Sequence, residues 1–127
     1  MAKKEFSFKG MTEEQLKTLS IEEFINLIPS RSRRSLKRGF TEEQKKVLEK
    51  VRKNDKDIKT HSRDMVIVPE MIGHKIKIHN GKDFVEILML PEMAGHILGE
   101  LVLTRRRVTH NSPGVGATRS SASVSVR

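Results

Sequence analysis

Up to about residue 55 the apolar positions of the chain recur at spacings of three and four, and from residue 65 they alternate. Helices are therefore predicted first and strands second. Three hydroxyl residues mark helix starts. Thr12 with Gln15 opens "TEEQLKTL", Ser20 with Glu23 opens "SIEEFINLIP", and Thr41 with Gln44 opens "TEEQKKVLEKVRKND". Each is a capping-box pattern, in which the hydroxyl accepts the N–H three residues on and the longer polar side chain reaches back. Pro29 is expected to stop the second helix, whose Ile21, Phe24, Ile25 and Ile28 share a face suited to docking on a core. "SRSRRSLKRGF" reads as one or two helical turns closed by Gly39. In the following helix Val47, Leu48 and Val51 form a narrow apolar stripe, and Lys45, Lys46, Lys50, Arg52 and Lys53 cover the rest.

"MVIV" at 65–68 is a short β-rich run ended by Pro69. "KIKIHNGKDFVEIL" alternates about Asn80-Gly81, a strong hairpin signal, and predicts paired strands near 74–79 and 82–89. Pro91 suits the first position of a short helix over "PEMAGHIL". The expected architecture is α+β: N-terminal helices packed on a small sheet with a central hairpin, followed by an extended basic C-terminal tail. The divisions expected are an N-terminal helical extension at 1–30, a core domain at 31–108 and a tail at 109–127.

Composition narrows what such a fold does. The chain has 127 residues, 35% of them hydrophobic and 4% aromatic, with no Trp or Tyr, so one modest aliphatic core is expected. The formal net charge is +9 and unevenly spread. Residues 1–29 carry four Lys/Arg against five Asp/Glu, 30–63 thirteen against five, 64–104 three against six, and 105–127 five against none. Charge used only for solubility needs no such segregation; surfaces aimed at phosphate do. The absence of cysteine excludes disulfides and thiolate metal sites and fits a reducing cytoplasm. No apolar run approaches the ~18 residues of a membrane span, and the polar start "MAKKEFSFKG" has no signal-peptide core, so neither secretion nor membrane insertion is expected.

The chemistry-bearing residues point the same way. His61, His74, His79, His96 and His110 share no zinc-type spacing, and no metal or cofactor is expected. The glycines of "GHILGE" and "GVGATRSS" lack the setting of a phosphate loop and read as turns and close backbone packing. No nucleophile, base or paired carboxylates can be assembled, so neither catalysis nor a small-molecule substrate is expected. By contrast, Arg31, Arg33, Arg34, Lys37 and Arg38 fall within eight residues, and Arg105, Arg106 and Arg107 recur where the ordered core should end. Arginine's planar fork grips phosphate oxygens. With Phe24 and Phe84 assigned to the core, no aromatic platform for single strands is expected. The basic helix offers phosphate-seeking Lys rather than base-reading side chains. Contacts to backbone and shape remain, which favours folded RNA.

Several stretches carry a family resemblance. "RSLKRGF", "IKTHSRDMVIVPEMIGHKIKIHNGKDFVEI" and "MAGHILGELVLTRRR" resemble the opening, central and closing motifs of the universal small-subunit ribosomal protein family S-nineteen, from about Arg34 to Arg105. The chain lacks the Pro that the bacterial pattern places between Gly39 and Phe40, and residues 10–30 and "PGVGATRSSASVSVR" look like archaeal/eukaryotic extensions. The resemblance implies a structural RNA-binding protein of the small-subunit head, cytoplasmic and on the ribosome. Its implied partners are the 3′ major domain of small-subunit ribosomal RNA and small-subunit proteins thirteen and fourteen. Matching positions imply RNA contacts by Arg34, Lys37, Arg38, His61, Ser62, Arg63, Lys82, His96, Thr104 and Arg105. The tail, with Arg119 and Arg127, would extend toward the decoding region and transfer RNA. A free-standing nucleic-acid-binding regulator and an enzyme are the alternatives, separable by whether the chain stays on small subunits and by whether titratable groups converge in a pocket.

Overall fold

The computed structural model describes residues 3–109. Among them are four α-helices, α1 (Glu13–Thr18), α2 (Ile21–Ile25), α3 (Ser30–Lys37) and α4 (Glu42–Arg52), and three strands, β1 (Ile58–Thr60), β2 (Lys75–His79) and β3 (Phe84–Leu88). The architecture is α+β. All three capping boxes are present, each with its reciprocal pair of hydrogen bonds. Helix α2 ends at Asn26, short of Pro29, and Pro29 instead stands at the N-cap of α3. Gly39, with φ +89°, follows the end of α3 as the left-handed residue that terminates a helix.

The sheet order is β1-β2-β3, with β1 parallel to β2 and β2 antiparallel to β3. Ile76 and Ile78 of β2 face inward with Ile58 and Thr60 of β1 and with Val85 and Ile87 of β3. The intervening Lys59, Lys77, His79, Phe84 and Glu86 therefore occupy the outer face. Strand β1 is absent from the sequence-based expectation: three residues after a charged run give too little alternation to register. The hairpin is present, but its loop spans residues 80–83 rather than Asn80-Gly81 alone. The Asn80 side chain organises it, Oδ1 accepting the N–H groups of Lys82 (2.9 Å) and Asp83 (2.7 Å).

Two expected elements differ. "MVIV" is not a strand: Met65, Val66, Ile67 and Val68 are all buried, and the segment makes only one isolated bridge, Val66 with Ile97. It lies in the parallel crossover from β1 to β2 and is enclosed on both sides, so its run is continuous rather than alternating. Part of its backbone pairs with residues 95–99. Ile67 donates to the His96 carbonyl, and Gly95, Leu98 and Gly99 donate to Ile67, Met65 and Arg63. Nor is "PEMAGHIL" one helix: a 3-10 turn over Pro91–Met93 is followed by a segment drawn into this pairing from Gly95 onward, and a second 3-10 turn, Leu98–Glu100, begins at its last residue.

Among the described residues twenty buried apolar residues form one cluster, aliphatic except for Phe24. Leu16 and Phe24, from the N-terminal helices, and Ile28, from the turn after α2, belong to it together with the sheet residues. The glycines of "GHILGE" are packing residues: a Cβ on Gly99 would lie 3.0 Å from the Arg63 carbonyl oxygen and 3.3 Å from the Arg63 Cβ. Gly99→Ala should therefore destabilise the protein by roughly 1–3 kcal/mol, measured by urea unfolding; an unchanged midpoint would contradict the tight fit.

Candidate nucleic-acid interface

Helix α3 carries four cations and no acid, Arg38 at its C-cap adds a fifth, and the fold divides them into two groups. Only Leu36 is buried; Ser32 ties the inner side to the sheet region by donating to the Gly95 carbonyl (3.3 Å). Arg33 also turns inward. Its Nε donates to the Ile25 carbonyl and its Nη2 to the Ile28 carbonyl, both at 3.2 Å, so it satisfies backbone acceptors at the end of α2. Arg31, Arg34, Lys37 and Arg38 are exposed. Spacings of three, four and seven place Arg31, Arg34 and Arg38 along one outward ridge with Lys37 beside it.

Among the described residues no carboxylate pairs with any of these four. Elsewhere cations are already compensated. Lys45 pairs with Glu42 at 3.1 Å. Arg52 forks onto Glu70 at 3.0 and 3.4 Å, and that hydrogen bond, then the carboxylate's charge, pushes the guanidinium further above its ordinary range. Lys77 donates to Asp57 at 2.8 Å, which lowers the Asp57 carboxyl below the usual range and raises Lys77. The exposed ridge of α3 has no such internal counter-ion. Like charges three and four residues apart repel, so an external anion is the remaining source of neutralisation.

The residues flagged after β1 have unlike fates. His61 is exposed at the end of the sheet. Ser62 is buried, its Oγ donating to Glu43 Oε2 (3.3 Å) and its N–H to Thr60 Oγ1 (3.0 Å). Arg63 is half-buried and clamps main chain: Nη1 donates to the His79 carbonyl (2.6 Å), and Nη2 to the carbonyls of Gly99 (3.0 Å) and Val102. Ser62 and Arg63 thus have structural work that the sequence does not reveal. Lys82 is exposed in the hairpin loop. His96 is exposed beside Glu100, its Nδ1 2.6 Å from Oε2, and shares a groove with Arg31 and Ser32. Thr104, Arg105, Arg106 and Arg107 are exposed beyond Val102. Arg119 and Arg127 lie outside the described residues.

A second cationic region was missed as a unit. Lys46 and Lys50 of α4 and Lys53 at its C-cap line a cleft of about 400 Å³ with Lys59, His61 and Phe84. Phe84, expected in the core, is 38% exposed, because its register opposite His79 puts it on the outer face. The alternation of Phe84, Glu86 and Leu88 against Val85 and Ile87 could have indicated this.

The family model described as Ribosomal protein S19 matches residues 34–110, more than half of the chain. The chain belongs to the ribosomal protein S19 family. As an S19 protein it is a structural component of the small ribosomal subunit that binds ribosomal RNA, in a family not known for catalysis. The matched region opens inside α3 and includes Arg34, Lys37 and Arg38 of the exposed ridge, the whole sheet and the three arginines after residue 104.

The division of labour in α3 is measurable. Arg33→Glu should lower the stability of the isolated protein by about 2–4 kcal/mol, since it strands two carbonyls and sets a carboxylate against them. Arg34→Glu should stay within about 0.5 kcal/mol of the parent. Thermal unfolding of the two variants side by side checks this, and equal losses would show that Arg33 is as dispensable to the fold as its neighbour.

Proposed function

We propose that this S19 protein anchors in the head of the small subunit on the 3′ major domain of its ribosomal RNA, beside small-subunit proteins thirteen and fourteen. The outward ridge of Arg31, Arg34, Lys37 and Arg38 is the principal phosphate-binding surface. The single observation carrying this reading is that these four cations are exposed and unpaired with carboxylates, whereas the cations of similar exposure on α4 and β2 include members already matched to acids. Lys82, His96, Thr104, Arg105, Arg106 and Arg107 extend the contact, all being exposed. Arg33, Ser62 and Arg63 act behind it by fixing backbone.

The helices before residue 34 and the sequence after residue 110 lie outside the family match and support an archaeal/eukaryotic-type member. The basic, acid-free segment 111–127 reaches toward the decoding region and transfer RNA, with Arg119 and Arg127 supplying phosphate affinity.

Phosphate contacts release counter-ions, so each one adds about 0.7–0.9 to the slope of log affinity against log salt. On its ribosomal RNA fragment, Arg34→Gln and Lys37→Gln should each reduce that slope by about one, whereas Arg33→Gln should leave it unchanged. Filter binding across a salt series reads the slopes; an unaltered slope in Arg34→Gln and Lys37→Gln would remove α3 from the interface. Chains lacking 111–127 should still co-sediment stoichiometrically with small subunits after a high-salt wash but alter transfer RNA binding. Failure of the truncated chain to enter subunits would make the tail an anchor instead.

A further inference from the structure

We infer that His61, His79 and Phe84 form a stacking platform for one unpaired nucleobase, with the lysines of the adjoining cleft taking the flanking phosphates. The platform rests on the ribosomal RNA reading above and adds a recognition mode to it: a flipped or bulged base rather than backbone alone.

The three rings are brought together by strand register. Thr60 pairs with Ile78, so the residues that follow, His61 and His79, emerge side by side at the same end of the sheet. His79 in turn pairs with Phe84 across the hairpin. The His61 and His79 ring centroids are 4.3 Å apart at 34°, and Phe84 meets them edge-on, 5.1 Å from His61 and 4.9 Å from His79. His79 is fixed from two sides: Arg63 holds its carbonyl, and the Gly81 N–H donates to its Nδ1 at 3.0 Å. Ring orientation is therefore set before any ligand arrives, which limits the ordering cost of binding.

The cluster is on the outer face of the sheet, where the core has no use for it. A cross-strand aromatic pair can serve a hairpin by itself, but His61 belongs to neither hairpin strand and is exposed. The setting is also cationic. Lys59 Nζ stands 5.6 Å from the Phe84 centroid and 3.8 Å from Asp57 Oδ2. Lys46, Lys50 and Lys53 line the same cleft, and none of these three pairs with a carboxylate among the described residues. Three carboxylates, Glu43, Glu49 and Asp55, share that lining, and Glu43 is engaged by Ser62. Exposed aromatic rings with adjacent lysines are the combination that holds a base by its face and the backbone by its charge. Lys59, long and exposed, can leave the ring for a phosphate as the base enters.

The test uses the full chain and two RNA hairpins of identical stem, one fully paired and one carrying a single bulged 2-aminopurine. The wild-type protein should bind the bulged hairpin about tenfold more tightly, with the 2-aminopurine fluorescence quenched by stacking. Phe84→Leu should abolish the preference, and Phe84→Tyr should restore it. His61→Ala, outside the hairpin, should reduce it, which keeps the test sound should Phe84→Leu prove poorly folded by circular dichroism. Lys37→Gln should weaken binding to both hairpins and keep their ratio. Equal affinity of the wild type for the two RNAs, or a preference that survives both Phe84→Leu and His61→Ala, would overturn the platform. Failure of the underlying reading looks different: neither hairpin binds even at about 50 mM salt, where phosphate contacts are strong, and the platform falls with it.

Discussion

One guanidinium joins the parts of this molecule that the chain order keeps apart. Arg63 stands at the start of the crossover between two parallel strands, and its donors reach the end of β2 at His79 and the C-terminal segment at Gly99 and Val102. A neutral side chain of the same length could fill the space but could not satisfy three carbonyls from two directions, and charged donors make the stronger hydrogen bonds. Gly99 has to be glycine for the same reason, since its backbone lies against Arg63. The pairing of residues 63–67 with 95–99 follows from this junction, and it seals the buried "MVIV" run without any regular strand.

Around that junction the protein spends its charge unequally. The half-buried Arg33 is matched by the Ile25 and Ile28 carbonyls, while at the surface Arg52 is paired with Glu70 and Lys77 with Asp57. Those on the ridge of α3 are matched by nothing among the described residues. The two uses have opposite physical requirements. A structural cation must lose its freedom and its water to fixed acceptors, whereas a phosphate-binding cation must keep both until the RNA arrives.

The capping boxes and the hairpin are legible because their signals are complete within a few neighbouring residues. Thr12, Ser20 and Thr41 announce their helices because a capping box is complete within one turn, and the alternation around Asn80 announces the hairpin because both strands are adjacent in the chain. What escaped depends on distant partners. Strand β1 exists because β2 offers it a parallel edge, and three residues carry too little pattern to say so. "MVIV" has strand composition, yet burial on both sides and a partner full of turns hold it outside the sheet. Arg33 and Arg34 are neighbours of one type, and only the position of the α2 carbonyls decides which is structural. Phe84 was assigned to the core by residue type, although its alternation with Val85 and Ile87 places it outside.

That reassignment changes how affinity and recognition divide over the surface. In the interface proposed above, phosphate contacts from α3 would set how strongly and in what orientation the protein binds, and they would be indifferent to what base lies between the phosphates. The proposed platform at the sheet end would instead be sensitive to whether a base is free of its helix, because a paired and stacked base presents no open face. Residues on the two surfaces reach their places by different routes, helical spacing for the ridge and strand register for the rings. Arg63 holds the rings indirectly, through the His79 carbonyl, without needing to touch RNA itself. A motif that runs "HSR" therefore distributes its three residues between opposite tasks: His61 outward at the ring cluster, Ser62 and Arg63 inward against Glu43 and the backbone. Strand β1 ends at Thr60, so alternation carries His61 to the outer face, whereas Ser62 and Arg63 lie in the turn that follows and are fixed by Glu43 and by backbone carbonyls rather than by a common ligand.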